Sequence, residues 1–313
     1  MTQATMTSEP ARAVRRRGHL DQLEAEAIHI IREAVAGCEK PVMLFSVGKD
    51  SAVMLHLAKK AFAPGRPPFP LMHIDTSHKF PEMYAYRNRV AEEAGMELIV
   101  WRNEAALAEK SEDAACWSCG ECSDRLKRQA LVDALTHHGF DCAFGGARRD
   151  EERSRAKERV LSFRDAFQQW DPKNQRPELW DLYNTRHAPG ESFRCFPISN
   201  STELDIWAYI ARENIEIVPL YFAEERPVIR RSGMFVYAGD KIKPQEGERV
   251  ETCKVRFRTL GCQICTGAVE SNADTLDAVV AEVAAARNSE RQNRAVDKDK
   301  EGGMEEKKKD GYF

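Results

Sequence analysis

The chain has 313 residues, of which 42% are hydrophobic. This is enough for one large α/β domain with an appendage, or for two modest domains, and it excludes wholesale disorder. The formal net charge of −3 excludes a basic field over the whole protein, and with it nucleic acid as the main partner. No apolar run approaches the ~20 residues of a membrane span. Residues 1–18 lack the apolar stretch of a secretory signal, so we expect a flexible tail and a cytoplasmic protein.

Apolar helices and short apolar strands alternate along the first two thirds of the chain. Helical spacing of apolar residues predicts helices over 19–36, 52–62, 81–94, 123–138 and 202–214. Short apolar runs predict strands over 41–45, 69–75, 97–101 and 141–144. This alternation predicts an α/β fold with a parallel sheet, helices on both faces and ligands at the carboxyl ends of the strands. The alternation weakens near residue 225, so we expect a nucleotide-binding catalytic domain over 19–225 and an extension over 226–313.

A polar loop joins the first predicted strand to the second predicted helix. Its sequence is Ser46-Val47-Gly48-Lys49-Asp50-Ser51. Gly48 allows a ligand to approach the backbone closely, and the N–H groups at the start of the following helix suit phosphate oxygens. Ser46 and Ser51 can donate hydrogen bonds, and Lys49 supplies a positive charge. Asp50, an acid beside a polyanion site, either holds Mg²⁺ or orients the loop. The spacing differs from the GxxxxGK[ST] loop of other ATPases, and a plain turn with polar caps is the alternative interpretation.

The loop resembles the SxGKDS motif of the PP-loop ATP pyrophosphatases. Four further segments resemble one branch of that family, the small catalytic subunits of bacterial heterodimeric sulfate adenylyltransferases: His73–Thr76, Gly145–Glu152, Trp170–Pro177 and Lys309–Phe313. The resemblance implies an adenine-nucleotide alpha-hydrolase-like domain that converts ATP and sulfate to adenosine 5′-phosphosulfate and diphosphate, the first step of sulfate assimilation. It also implies a GTPase as the large partner subunit, and we expect part of the C-terminal extension to dock it.

Adenylation of sulfate requires cations more than a base, because sulfate is already ionised. Arg148 and Arg149 follow the turn Gly145-Gly146 at a predicted strand end, so we expect them to act with Lys49 in catalysis. The later basic residues of this segment are expected on a solvated helix face. Asp75 ends the second strand, where it either contacts the nucleotide or its Mg²⁺, or caps a turn. The residues expected to bind the nucleotide are Ser46, Gly48, Asp50, Ser51, Asp75, Gly145 and Gly146.

Five of the nine cysteines have metal-ligand spacing. Cys116, Cys119 and Cys122 form a CxxCxxC, and Cys262 and Cys265 form a CxxC. Most of these positions depart from the sulfate adenylyltransferase pattern and resemble the iron–sulfur phosphosulfate reductases of the same fold. The spacing predicts a [4Fe–4S] cluster or, as the alternative, a Zn²⁺ site, with one cysteine to spare. Scattered free thiols are the other interpretation.

Three functions therefore compete. The first is the sulfate adenylyltransferase subunit. The second is an iron–sulfur phosphosulfate reductase, which is disfavoured because residues 297–313 contain no cysteine that could serve as its mobile nucleophile. The third is a non-catalytic sensor of iron or redox state built on the cysteines.

Overall fold

A six-stranded sheet forms the centre of the protein in the computed structural model, which describes residues 18–109, 124–231, 233–239, 241–286 and 290. The strands are β1 Pro41–Leu44, β2 Leu71–Ile74, β3 Leu98–Trp101, β4 Cys142–Phe144, β5 Leu161–Arg164 and β6 Ser192–Cys195. Their order is β3-β2-β1-β4-β6-β5, and every pairing is parallel except that of β5 with β6. The predicted α/β fold with a parallel sheet is thus confirmed, and the sheet is mostly parallel, with an antiparallel pairing only at the β5 edge.

The helices cover both faces of this sheet. They are α1 His19–Gly37, α2 Lys49–Phe62, α3 Pro81–Ala94, α4 Glu104–Ala108, α5 Ala130–His138, α6 Arg153–Ala156, α7 Glu203–Glu213 and α8 Leu276–Ala285, and a π-helical turn at Asp124–Gln129 precedes α5. Helix α2 begins three residues earlier than its apolar spacing predicts, because Gly48 is its extended N-cap residue. Within the described ranges, no helix combines the length and apolar character that a membrane span needs.

Four antiparallel strands of the C-terminal extension form a small closed barrel. They are β7 Glu224–Arg231, β8 Met234–Tyr237, β9 Val250–Arg256 and β10 Gly267–Glu270. The barrel shares the main hydrophobic core, in which Val228, Val255 and the adjoining Phe257 belong to the same cluster as Phe45, the residue after β1. Helix α8 adds Val279 to this core. The extension therefore packs on the catalytic part through a continuous apolar interior, at the side where β1 ends.

Candidate active site

The polar loop lies at the carboxyl end of β1, between the strand and the first turn of α2. Val47 is buried in the core and has a φ of 69°. This left-handed conformation is unfavourable for a β-branched residue, and such strain is typical of functional loops. The Ser51 hydroxyl donates to the Gly48 carbonyl at 2.8 Å, which closes the loop onto the helix. The exposed Ser46 lies within 3.4 Å of the Ser51 hydroxyl. The loop is thus held in one conformation, and it leads directly into the first turn of α2.

The turn Gly145-Gly146 brings the second predicted motif against this helix. The Gly145 N–H donates to the Cys195 carbonyl at 2.8 Å, which extends the pairing of β4 with β6. A Cβ atom on Gly146 would lie 3.0 Å from the Cβ of Asp50, a tight contact that the start of α2 would have to relieve by a few tenths of an ångström. Glycine therefore favours the close approach of these two segments, and Arg148 follows two residues later.

Lys49 and Arg148 lie together in a buried ion network. Their side chains are 1% and 0% exposed. Lys49 Nζ is 3.1 Å from Asp50 Oδ2, and Arg148 Nε is 3.1 Å from Asp150 Oδ1. Arg148 also contacts Asp50. Both cations also share a fifth residue, Glu290. Its Oε2 contacts Lys49 Nζ, and its Oε1 lies 2.7 Å from Arg148 Nη2. Two buried cations thus face three carboxylates at the start of α2.

The charges of this network determine how its groups titrate. Burial by itself would lower the pKa of Lys49, but Asp50 and Glu290 outweigh it, and the pKa of Lys49 lies above its ordinary value. The pKa of Arg148 is raised in the same way. Burial opposes ionisation of Glu290, yet Lys49 and Arg148 hold the pKa of its carboxyl well below the usual range. All three groups are therefore charged at neutral pH.

Tyr221 and Glu290 belong to the site although the sequence did not single them out. The Lys49 N–H donates to the buried Tyr221 hydroxyl at 2.8 Å. This bond occupies one of the donors that the start of α2 would otherwise offer to a phosphate. Both contacts join residues more than 170 positions apart. No local pattern marks such contacts; only the unusual burial of a charged Glu290 identifies it, and burial is visible only in the structure.

Arg149 points to a different partner from Arg148. Its guanidinium contacts the side-chain oxygen of Asn200, and Asn200 in turn contacts Glu26 of α1. Its backbone N–H donates to the Ser199 carbonyl at 2.9 Å. The structure thus brings together Lys49 and Arg148 of the three residues predicted to be catalytic, and it places the Arg149 side chain against α1 and the loop before α7.

Asp75 is buried at the end of β2 and accepts hydrogen bonds from several donors. Tyr84 donates at 2.7 Å, the Ser77 N–H at 2.8 Å, and Arg102 through Nε at 2.8 Å and Nη2 at 2.6 Å. Burial would raise the pKa of Asp75, but these hydrogen bonds outweigh it and lower the pKa. In this state Asp75 holds the turn between β2 and α3, and a contact to the nucleotide stays a prediction.

The CxxC of the extension is a pair of buried thiols. Cys262 and Cys265 are 3% and 6% exposed. A hydrogen bond between them, followed by burial, raises the pKa of Cys262 to about 12, against the opposing charges of Lys127 and Lys79. Cys116, Cys119 and Cys122 lie outside the described residues. Elsewhere in the part of the chain that the structure describes, no three His, Cys, Asp or Glu side chains form a group that could hold a metal ion.

Comparison with known proteins identifies the family. The phosphoadenosine phosphosulfate reductase domain family matches residues 40–268. The chain is 58% identical over 296 residues to sulfate adenylyltransferase subunit 2 of Citrifermentans bemidjiense, covering 94% of this chain and 98% of that protein. It is 57% identical over 314 residues to the same subunit of Caulobacter vibrioides, covering 100% of this chain and 99% of that protein. Among solved structures, phosphoadenylyl-sulfate reductase from Candida auris is 19% identical, with a TM-score of 0.45 over 64% of this chain and 89% of that one. The two relatives that match nearly the whole chain confirm the resemblance to the sulfate adenylyltransferase small subunits, and the chain belongs to the sulfate adenylyltransferase subunit 2 family.

Proposed function

We propose that this chain transfers the adenylyl group of ATP to sulfate, producing adenosine 5′-phosphosulfate and diphosphate. The observation that carries the proposal is the buried meeting of Lys49 and Arg148 at the start of α2. Two cations and a helix N-terminus at the end of a parallel strand suit a polyanion better than a neutral substrate. Relatives that match nearly the whole chain carry the name of this activity.

The chemistry needs positioning and charge neutralisation. An oxygen of sulfate attacks the α-phosphorus of ATP, the bond from that phosphorus to the bridging oxygen of the β-phosphate breaks, and diphosphate leaves with the electron pair. No proton has to be removed, because sulfate is a dianion at neutral pH. Lys49 and the start of α2 would hold the β- and γ-phosphates, with Ser46 and Ser51 as donors. Arg148 would neutralise the charge that develops between the leaving group and the sulfate.

Asp50 and Asp150 are the carboxylates that would hold the Mg²⁺ of the incoming nucleotide. Both contact Arg148, and their side chains are 23% and 32% exposed, so oxygen ligands are accessible beside the loop. Mg²⁺ binds one or two carboxylates together with phosphate oxygens, which fits this donor set. Gly145 and Gly146 keep the backbone close enough for the Arg148 and Asp50 side chains to meet.

The direct test measures diphosphate released from ATP with and without sulfate. An adenylyltransferase releases diphosphate only when sulfate is present. A phosphosulfate reductase releases none, and consumes a reductant with adenosine phosphosulfate instead. A sensor does neither. Release that is independent of sulfate, or absent in the presence of the partner subunit, would refute the proposal.

We further propose that Cys262 and Cys265 ligate a [4Fe–4S] cluster, with Zn²⁺ as the alternative. The two thiols are hydrogen-bonded to each other, which brings both within reach of one metal site, and Lys79 and Lys127 act electrostatically on Cys262. Positive charge nearby favours the thiolate form that metal binding requires. Lys127 follows Cys122 by five residues, which supports the convergence of the two cysteine groups. Anaerobic purification followed by metal analysis and a visible spectrum tests this assignment.

The partner subunit that the relatives' name implies is proposed to be a GTPase. Coupling to a hydrolase is chemically reasonable because the phosphate–sulfate anhydride is a high-energy product. Apolar side chains stand exposed on one segment of the surface, with Phe167 80%, Leu179 61%, Trp180 85% and Leu182 68% exposed. Large exposed apolar side chains of this kind are typical of subunit contacts. This segment supplements the docking site expected in the C-terminal extension.

Co-purification tests where the partner docks. Truncation after Glu290 keeps that residue and should weaken the complex if residues 291–313 contact the partner. Trp180→Ser should weaken the complex if the exposed segment does so. Val250→Ser, at a residue that is 49% exposed on β9, is the matched control. A complex of full stability with both changes present would refute both docking sites.

A further inference from the structure

Glu290 occupies the position where the proposed function places a phosphate. It lies beyond the last turn of α8, and its carboxylate is 4% exposed. One oxygen contacts Lys49 and the other lies 2.7 Å from Arg148, so a single carboxylate bridges the two buried cations. A bridging carboxylate presents two negatively charged oxygens to them, as a phosphate or sulfate group would.

The charges around Glu290 prevent simultaneous occupation by a polyanion. Asp50 and Asp150 already contact Arg148, and Asp50 also contacts Lys49. Glu203 is a fourth acid close by, and burial together with the charge of Glu290 raises the pKa of Glu203. A bound triphosphate would add several negative charges to a region in which carboxylates already outnumber the cations. At short range and low dielectric this repulsion is large, so Glu290 and the polyanion compete for the same contacts.

We propose that Glu290 is an internal competitor for the anion site, which neutralises Lys49 and Arg148 in the empty enzyme and is displaced by the diphosphate portion of ATP. The inference rests on the proposed function, because it uses the same site. Glu290 then determines specificity. A weakly charged anion cannot displace a carboxylate that is bound to two buried cations, whereas a polyanion carried with Mg²⁺ can.

The same competition assists product release. After transfer, diphosphate is held by Lys49 and Arg148, and the return of Glu290 to these cations restores their neutralisation as the product leaves. The effective concentration of a tethered group is high, so Glu290 suppresses rebinding of diphosphate. The enzyme thereby reduces product inhibition without altering the equilibrium of the reaction.

Titration of the full-length chain with inorganic diphosphate tests the competition. Glu290→Gln retains the shape of the side chain and removes its charge, so we expect diphosphate to bind at least tenfold more tightly than to the wild type. Glu282→Gln is the matched control, because it also removes a carboxylate from a pair with a buried arginine, Arg256, at 2.6 Å. The control should bind diphosphate within twofold of the wild type. If Glu290→Gln binds diphosphate no more tightly than the wild type, the inference is overturned. Weaker binding would also overturn it, because that is the result expected if Glu290 is a Mg²⁺ ligand.

The Lys49→Met variant separates this inference from the proposed function. It should lose diphosphate binding. If it binds as the wild type does, the loop is not the phosphate site and the proposed function fails with the inference. If Lys49→Met loses binding while Glu290→Gln binds no better than wild type, the site is correct and only the competition is refuted.

Carboxyl labelling of the wild-type protein provides a test that does not depend on a variant folding. A water-soluble carbodiimide with an amine modifies exposed carboxylates, and mass spectrometry locates them. We expect Glu290 to be protected in the empty protein and to become labelled when diphosphate saturates the site. Glu282, which is 37% exposed, should be labelled equally in both states. Protection of Glu290 at saturating diphosphate would show that it does not leave, and the inference would fail.

Discussion

Replacing Lys49 should affect catalysis and stability by separable amounts. Removing one preorganised charged contact costs about 3–4 kcal/mol of transition-state stabilisation, or about 10²–10³ in rate. The Lys49 side chain is 1% exposed, and Lys49→Met leaves Glu290, itself 4% exposed, with Arg148 as its remaining contact in this network. Breaking a buried ion pair costs about 3–5 kcal/mol, and the persisting contact to Arg148 places the expected loss of stability at about 3 kcal/mol. We therefore expect a mutant that is both inactive and less stable.

The double variant Lys49→Met with Glu290→Gln separates the two effects. It removes both charges of the pair, so no carboxylate is left without its cation, and we expect most of the lost free energy of unfolding to return. The rate should not return, because the cation proposed to face the phosphates is still missing. Denaturant unfolding measures the first quantity, and sulfate-dependent diphosphate release at saturating ATP measures the second.

Two results would contradict this reasoning. If the double variant regains diphosphate release to within threefold of wild type, Lys49 acts through stability alone and the loop has no part in the mechanism. If Lys49→Met is as stable as wild type while the double variant is not, the two side chains are not coupled as their contact indicates. The double variant Lys49→Met with Glu282→Gln is the control, because it removes a carboxylate elsewhere in the extension.

Three further predictions concern the other charged groups. Arg148→Ala should raise the KM for sulfate more than the KM for ATP and lower kcat/KM by about 10²-fold or more. Arg149→Ala should have a smaller effect, because the Arg149 side chain contacts Asn200 instead. Initial rates measured while each substrate is varied in turn test both expectations. Burial and then the neighbouring Arg164 lower the pKa of Arg194 to about 9, so Arg194→Met should leave the free energy of unfolding unchanged or raise it by up to about 4 kcal/mol. Denaturant unfolding measures this, with Arg230→Met at an exposed arginine as the control. An Arg194→Met protein less stable than the control would refute the prediction. Burial and then Lys79 lower the pKa of His73 from 6.5 to about 3, so between these two pH values the unfolded chain binds one proton more than the folded protein. The free energy of unfolding should therefore fall by about 1.4 kcal/mol for each pH unit as the pH drops through this range. His73→Gln should remove this part of the slope, and a pH profile identical to that of the wild type would contradict the prediction.

The elements flanking the loop were predictable because their signals are local. β1, β2 and β3 are short apolar runs, and α3 was predicted at its observed bounds, Pro81–Ala94. The start of α2 was placed late because Lys49, Asp50 and Ser51 are polar, and a helix that begins with polar residues shows no apolar periodicity in its first turn. The N-cap conformation of Gly48 determines this start, and it depends on backbone angles rather than on residue type.

Strands β5 and β6 were missed for a different reason. Each contains a fully buried arginine, Arg164 in β5 and Arg194 in β6, where an apolar residue is expected. Arg164 is stabilised by Glu158 at 2.7 Å, a partner six residues away that lies outside the strand. A pattern of apolar residues cannot identify a strand whose interior positions are charged and paired by tertiary contacts. The same limit applies to Glu290, whose burial beside Lys49 depends on a contact across 241 positions.

The cysteine site gives the last prediction. In the structure the Cys262 thiol is protonated at neutral pH, because its contact with Cys265 and then its burial raise its pKa to about 12. Metal binding must displace these protons, so uptake should release acid and become stronger as the pH rises. Anaerobic reconstitution of the apoprotein in weak buffer measures both. Replacing Cys262 and Cys265 by Ser should abolish the bound metal and the ~400 nm absorbance expected of an iron–sulfur cluster.

The matched control for this experiment replaces Cys253, a half-buried thiol outside the CxxC. Cys253→Ser should retain the metal and its spectrum. Zinc in place of iron would leave the ligand assignment intact, since zinc also prefers tetrahedral thiolates, and would change only the metal. Retention of metal by the Cys262 and Cys265 double variant would remove this pair from the site. The proposed roles of Lys49 and Arg148 in adenylyl transfer do not depend on that outcome, because they are argued from the ion network at the start of α2.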